Sequence, residues 1–528
     1  MTAPGPARSA DRLLAIDVGT QSVRALLFDP RGALLAGSRI PIEPYVSPQP
    51  GWAEQDPEVY WAAMGAACAA LRDQPAGRPI EAIAGLALTT QRGTVVVTDR
   101  AGRPLRPAMV WLDQRRTYGL PPLGGLTGLA FRALRVRDTV AAFQADAEAN
   151  WIAHHEPTVW AAAERYGLLS AFLSTRLVGR WVDADACQVG YLPFDFRRRR
   201  WAADGDWRWR VAPIRREQLP DLVPSGEPLG SLTPAAADHL GLPAGLPVMA
   251  AAADKACEVL GSGALDPSVA ALSYGTAATV NTTHRRYVEA VPLVPPYPAA
   301  VPGAYSLEIQ VYRGYWLVEW FKRQFGDREV ARAAAAGTSP EALFDELLEA
   351  TTPGAMGLLL QPTWTPGVRV PGPEAKGAVI GFSDVHTRAH LYRAILEGLA
   401  YALREGLERS ERRSGVRAAE VRVAGGGSRS RGALQLTADI FGRPAARPHT
   451  DEAAGLGAAI VAAYGLGLHR DAETAVREMT RVGESRDPEP DAVAIYEELY
   501  QRVYRRLYPA LRPLYEDVRR ITGHPPRP

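Results

Sequence analysis

Cysteine is scarce in this sequence: Cys68, Cys187 and Cys257 are the only three in 528 residues, and they stand far apart. None forms a CxxC pair, so no disulfide framework is indicated, and a reducing cytoplasm is the expected setting. Long apolar runs are also missing. None reaches the ~20 residues needed to cross a bilayer, so no membrane partner is expected. The first ten residues are rich in Pro, Ala and Ser and read as a loose tail rather than a signal peptide. Charge of one sign is not in excess: 60 Lys and Arg face 58 Asp and Glu, a net of +2. Neither nucleic acid nor an anionic membrane surface is therefore an expected partner. The one dense basic run, Arg197 to Arg200, lies near Trp201, Trp207 and Trp209, a mixture that could stack on a single strand. Asp195, Asp204 and Asp206 stand among them, and a solvated loop is the expectation. His386 and His390 share the i,i+4 spacing of zinc ligands, but no third ligand accompanies them and no metal site is expected there.

What remains is an ordinary globular composition, 47% apolar and 22% charged. The length implies two or more domains with ample core. Residues Leu13 to Asp29, LLAIDVGTQSVRALLFD, read as strand, Gly-Thr turn and returning strand. Gly19 lets the backbone approach a ligand closely. The turn N–H groups of Gly19, Thr20 and Gln21, with the hydroxyls of Thr20 and Ser22, would form an anion-binding concavity. Asp17, at the strand end, could hold a metal ion through water. The plain alternative is a hairpin in which these side chains only shape the turn.

The scheme recurs half a chain later. Ala271 to Val280, ALSYGTAATV, again places Gly-Thr, now Gly275-Thr276, between apolar strands. Two such starts, each followed by mixed strands and helices, predict a duplicated α/β domain with a cleft between the copies. Two phosphate-gripping turns aimed into one cleft would suit a nucleoside triphosphate. Just before the second hairpin, AAAADKACEVLGSG presents Asp254 as an isolated carboxylate after a run of small residues. It is the candidate general base for a substrate hydroxyl.

Several other stretches fit around this core. Asp56-Pro57 predicts an N-cap and the first position of a helix. Ile83 to Val97 reads as strand, polar break and strand, and the break carries Gln91 and Arg92. Polar groups at a strand end are candidates for a hydroxylated ligand, against the alternative of a simple polar turn. Trp111 could stack on a carbon skeleton and donate its N–H, or merely pack in the core. Asn150 to Ala171 reads as helical, as do Gly314 to Phe325 and His390 to Glu411. Thr283 to Ser306 and Leu358 to Phe382 read as irregular proline- and glycine-rich connections. VRVAGGGSRS, Val421 to Ser430, runs a strand into Gly425, Gly426, Gly427 and Ser428 before a helix, which could lay backbone against a base and point N–H groups at phosphate. It is not a Walker A motif, and Gly455-Leu456-Gly457 lies in an Ala-rich helix and is not a dinucleotide fingerprint. The chain past Pro490 reads as a polar, Tyr- and Arg-rich helix packing on the outside.

In order and spacing together, these residues resemble the FGGY family of carbohydrate kinases from Leu13 to about Gly467. DVGTQSVRALLFD is similar to the family's first phosphate motif, ADKACEVLGSG to its catalytic-aspartate segment and LSYGTAATV to its second phosphate motif. GAVIGFSDVHTRAHLYRAILEG resembles the C-terminal signature, with Phe382 where a smaller aliphatic is usual. VAGGGSRS, with ADIFGRP and EAAGLGAAI after it, resembles the adenosine-binding segment. Glu148 stands three residues before Trp151, where the family usually has lysine. QRGTVVVTD and AMVWLD resemble the polyol-binding strands of glycerol kinases, but Gly93 replaces a common glutamate and Lys255 a usual glutamine.

The resemblance implies two ribonuclease-H-like domains of the actin/hexokinase type flanking a deep cleft, taken here as residues 11–262 and 263–528 with a helical C-terminal extension. It implies ATP and Mg2+ as cofactors and phosphoryl transfer to a sugar or polyol, with an open-chain ketose or polyol as the expected acceptor. Asp254 would be the base. Gln91, Arg92, Trp111, Asp254 and Lys255 would meet the acceptor. Gly19, Thr20, Gln21, Ser22, Gly275, Thr276, Gly425, Gly426, Gly427 and Ser428 would meet the nucleotide. Many relatives are dimers, so a homodimer is an expectation without a legible interface. The rival readings are a nucleotide-driven switch or chaperone-like ATPase of the same superfamily, and a non-catalytic sugar sensor.

Overall fold

A computed structural model describes residues 11–524 except 44, 78–79, 135, 292–293 and 366–370. The ten N-terminal residues expected to form a loose tail lie outside that set, as does part of the connection from Leu358 to Phe382.

The first hairpin forms where the apolar runs meet at Gly19-Thr20: strands β1 (Arg12–Val18) and β2 (Ser22–Phe28) pair antiparallel, and β3 (Leu34–Pro41) continues the sheet. Asp56 caps helix α1 (Pro57–Arg72) by accepting from Glu58 N at 3.0 Å, with Pro57 in the first turn where its missing N–H costs nothing. Strands β4 (Ile83–Thr90) and β5 (Val95–Thr98) flank the polar break, and β4 runs parallel to β1.

The helix expected over Asn150 to Ala171 is broken. Helix α2 (Glu148–His155) stops before Pro157, which starts α3 (Pro157–Ala162). Strand β6 (Arg165–Leu168) then pairs with β5 before α4 (Leu169–Val178). Proline cannot continue a helix ladder, and Arg165–Leu168 finds partners in a strand edge that periodicity does not reveal. The basic run is not a solvated loop throughout. It forms a short hairpin over 194–201, with Trp201 buried. Strands β7 (Pro228–Ser231) and β8 (Pro247–Met249) complete a sheet ordered β7-β8-β4-β1-β2-β3. Helix α5 (Asp254–Gly261) follows at once, with Asp254 in its first turn.

The second half repeats the plan. Strands β9 (Val269–Tyr274), β10 (Ala278–His284), β11 (Tyr297–Pro298) and β12 (Tyr305–Val311) are antiparallel neighbours. Helices α6 (Trp316–Phe325) and α7 (Arg388–Ser414) form where the apolar spacing predicts. Strand β13 (Glu420–Ala424) runs parallel to β9. Helix α8 (Arg431–Phe441), strand β14 (Ala445–Pro448), helices α9 (Ala453–Gly465) and α10 (Ala472–Met479) and strand β15 (Val482–Arg486) follow.

The sheet order is β11-β12-β10-β9-β13-β14-β15. In both sheets three antiparallel strands, extended by β11 to four in the second, meet two parallel ones and end in an antiparallel edge strand. This is the mixed α/β architecture of two ribonuclease-H-like domains.

Beyond Pro490, helix α11 (Pro490–Leu499) passes through a π turn into α12 (Arg505–Thr522). It is not merely superficial: Tyr496 and Tyr500 are fully buried, and the Tyr496 hydroxyl donates to Glu397 of α7 at 2.9 Å.

Each half has its own core, and a third core joins them. Leu13, Ala15 and Phe28 of the first sheet pack with Leu456, Ile460 and Ala463 of α9, which is late in the sequence. Helices α5 and α9 cross with backbone nearly touching: a Cβ on Gly457 would lie 1.9 Å from the Cys257 carbonyl oxygen, and one on Gly261 1.9 Å from that of Ala453. Only glycine permits that approach.

Candidate active site

Asp254 stands at the head of α5 because the buried strand β8 ends in a small-residue run and the helix begins there. Thr89 of β4 pins that run by donating to the Ala252 carbonyl at 2.9 Å. Asp254 as a residue is half-buried. Burial raises its pKa to about 6, opposed by Lys255 and Arg92 and assisted by Asp17 and Glu258. Those five charged groups therefore share one electrostatic environment.

Asp17, at the end of β1, is buried and accepts from Arg24 at 2.7 Å; Arg24 in turn reaches Glu452, ahead of α9, at 3.5 Å. Burial outweighs Arg24 and raises the Asp17 pKa, with Glu258 adding and Lys255 opposing. Lys255 Nζ lies 3.1 Å from Glu258 Oε1 and 2.5 Å from Ser273 Oγ. Ser273 lies two residues before Gly275, so Lys255 ties the Asp254 helix to the strand that delivers the second Gly-Thr turn.

Among the first-turn residues, Gly19 N donates to the Ser22 carbonyl at 3.0 Å and closes the bend; Gln21 is exposed and Ser22 buried. The Thr20 hydroxyl donates to Gln91 Oε1 at 2.6 Å and accepts from Trp111 Nε1 at 3.0 Å. Gln91 Nε2 donates to the Tyr60 hydroxyl at 2.6 Å. Gln91 and Trp111 thus hold Thr20 in this conformation. At the second turn Gly275 and Thr276 carbonyls accept from Tyr315 N and Gly314 N, both at 2.9 Å, which leaves the exposed Thr276 side chain facing outward.

The glycine loop lies beside that turn. Gly425 has φ +86°, and a Cβ there would meet the Tyr274 backbone at 2.9 Å; one on Gly427 would meet the Tyr315 ring at 2.2 Å. Gly426 is exposed. Ser428 Oγ donates to the Gly425 carbonyl at 2.7 Å, closing the turn from β13 into α8.

Arg92 projects from the break after β4 and pairs with Glu308 of β12. Burial works against the guanidinium charge, but Glu308, then Tyr297 and Asp254, hold its pKa above the ordinary arginine value. One cavity is lined by Arg92, Lys255, Asn281, Tyr297, Ser306 and Glu308. Glu308, Glu258 and Arg24 are not among the residues that the sequence motifs single out. A signal existed for two of them: Glu308 is the lone charge in YSLEIQV, and Glu258 follows Lys255 at i,i+3. His386 and His390 lie on the surface and cap nearby backbone, His386 Nδ1 accepting from Ser383 N at 2.9 Å. Among the described residues no group of three or more His, Cys, Asp or Glu is arranged to hold a metal by itself. No described helix is long and apolar enough to cross a membrane.

Comparison with known proteins decides the family. The family models for the N-terminal and C-terminal domains of the FGGY family of carbohydrate kinases match residues 12–261 and 270–466. The chain belongs to the FGGY family of carbohydrate kinases. It is similar to a glycerol kinase of Dechloromonas aromatica, 32% identical over 481 residues that cover 88% of this chain and 91% of that protein. It is also similar to a xylulose kinase of Lactococcus lactis, 28% identical, covering 92% of this chain and 94% of that one. The solved xylulose kinase of Rhodospirillum rubrum superposes with a TM-score of 0.79 at 27% identity, over 96% of this chain and 100% of that one. This FGGY chain is accordingly a carbohydrate kinase, and its family uses ATP.

Proposed function

We propose that this kinase transfers the γ-phosphoryl group of ATP to a hydroxyl of an open-chain ketose or polyol, with Asp254 as the general base. The carrying observation is the placement of Asp254: half-buried at the head of its helix, coupled to Asp17 below the first Gly-Thr turn, and linked through Lys255 to the strand of the second. Phosphoryl transfer runs through a loose transition state, so positioning and charge stabilisation dominate. Asp254 takes the acceptor proton late, as the new O–P bond forms, and needs only modest basicity.

In this reading Gly19, Thr20, Gln21, Ser22, Gly275 and Thr276 grip phosphates, and Gly425, Gly426, Gly427 and Ser428 line the adenosine pocket. Arg92 and Lys255 border the acceptor, and Gln91 and Trp111 set the Thr20 hydroxyl between them. Residues 11–262 then carry acceptor binding and the first phosphate turn, and residues 263–528 the nucleotide. Asp17 fits Mg2+ held through water, because its second oxygen has no hydrogen bond among the described residues. Mg2+ retains waters and leans on few carboxylates plus phosphates, so no protein cage is required. When bound it would neutralise charge on the phosphates. The names of the relatives, xylulose and glycerol kinases, support an acceptor of this kind. Three buried free thiols support a cytoplasmic setting.

Asp254→Asn tests the assignment. Binding of a non-hydrolysable ATP analogue is expected to persist while turnover falls about 10²-fold or more. Turnover within a few-fold of wild type would remove Asp254 from the role.

A further inference from the structure

We propose that Glu308 is a specificity-determining residue of the acceptor site, and that with Arg92 it selects uncharged polyhydroxyl chains over sugar acids. The inference rests on the sugar-kinase reading above and extends it to the charge of the acceptor.

Glu308 reaches the acceptor side from the second sheet, while Arg92 comes from the first. Their side chains are 5% and 18% exposed and line the same cavity as Lys255. The pair is joined through Arg92 Nη2 and Glu308 Oε1. Among the described residues no hydrogen bond engages Arg92 Nε or Nη1, or Glu308 Oε2. The cavity wall thus presents donors beside an acceptor, both without partners. A hydroxyl both donates and accepts, so neighbouring hydroxyls of a sugar or polyol satisfy both sides of the pair at once. Ala186, Val189, Ala253 and Pro298 supply apolar wall beside the pair.

A sugar carboxylate fares differently. It only accepts, so it has nothing to offer Glu308 Oε2. Among the described residues that line the cavity, it also finds both cations engaged. Arg92 is balanced by Glu308, and Lys255 Nζ is held by Glu258 and Ser273. Asp254 does not line this cavity, but it lies close enough to act on Arg92 and adds negative charge beside it, and a buried like-charge contact is strongly unfavourable. The exclusion is therefore a repulsive element as well as a missing attraction.

The test uses the full chain with xylulose, glycerol and gluconate as probes, by calorimetric binding and by ATP-dependent turnover. Wild type is expected to bind and use at least one neutral acceptor about tenfold or more better than gluconate. Glu308→Gln is expected to raise the KM for that acceptor about tenfold, leave the KM for ATP within about threefold, and narrow the gap to gluconate. Glu308→Asp, which keeps the charge, should recover part of the loss, a rescue that a purely structural role would not show. Should the Gln variant misfold, the Asp variant and Arg92→Gln are read in the same binding assay. Unchanged acceptor KM in Glu308→Gln, equal loss of ATP and acceptor affinity, or gluconate preferred by wild type would each overturn the proposal. The kinase reading fails separately, through wild type that binds a neutral acceptor and transfers no phosphoryl group; the calorimetric arm still reads Glu308 in that case.

Discussion

Burial lifts the Asp254 carboxyl to about 6, while Lys255 and Arg92 pull it down. A base works only when deprotonated, so kcat/KM is expected to be flat above about pH 6 and to fall about tenfold per unit below it. Lys255→Met removes the largest lowering charge, and the acid limb of the pH profile should move to higher pH. A profile that stays in place while turnover falls would show that Lys255 acts only by holding Ser273. The same burial has a cost in stability. Folding makes ionisation harder than in the unfolded chain, so Asp254 destabilises the folded form once the pH rises past the unfolded value of 3.8, and the penalty is complete above about 6. Asp254→Asn should therefore melt at a higher temperature than wild type at neutral pH, by on the order of 1 kcal/mol of added stability after allowance for the half-buried residue. Asp254 stands out in the sequence because it is a single acid in a run of small residues, and the structure sets it at the head of α5. Glu308 does not, because the ion pair that distinguishes it is with Arg92, 216 residues away in sequence.

At the scale of elements, what the sequence discloses is local. The two hairpins follow from Gly-Thr set between apolar runs, and α1 from Asp56-Pro57. The division of Asn150 to Ala171 into helix, helix, strand and helix was hidden, because β6 exists only through its pairing with β5. The α5–α9 crossing lies between these cases: the glycines are visible, their partners are not. Gly457→Ala forces a methyl against the Cys257 carbonyl, which cannot move without shifting α5. Overpacking of this kind costs about 1–3 kcal/mol. Because Asp254 begins α5, the variant is expected to lose activity along with stability, and a suppressor should lie in small residues of α5. Equilibrium denaturation and turnover measured together check this; unchanged values would mean that the helices have room to part.

The duplicated plan of the whole molecule was legible from the recurring hairpins, yet the sequence order conceals how the halves share a core. Helix α9 belongs to the second half by position but covers β1 and β4 of the first sheet: Leu456 and Ile460 lie with Leu13, Ala15 and Ala87, and all five are fully buried. Three anchors reinforce the arrangement. His469 Nε2 meets the Pro30 carbonyl at 2.7 Å, His449 Nε2 meets that of Gly32 at 3.1 Å, and Arg481 donates to that of Arg31 at 3.0 Å. A fragment of residues 11–262 alone would expose the face that α9 covers, and each large apolar side chain so uncovered forfeits about 1.5–3 kcal/mol. Against a typical margin of about 5–15 kcal/mol, that loss is enough to unfold it. The fragment is expected to be aggregated or molten when expressed by itself, and to become soluble when residues 263–528 are co-expressed. Sharp amide dispersion in the spectrum of the isolated fragment would instead show that the first sheet folds without α9. In that case the contact between α9 and β1 would be an interface between finished domains.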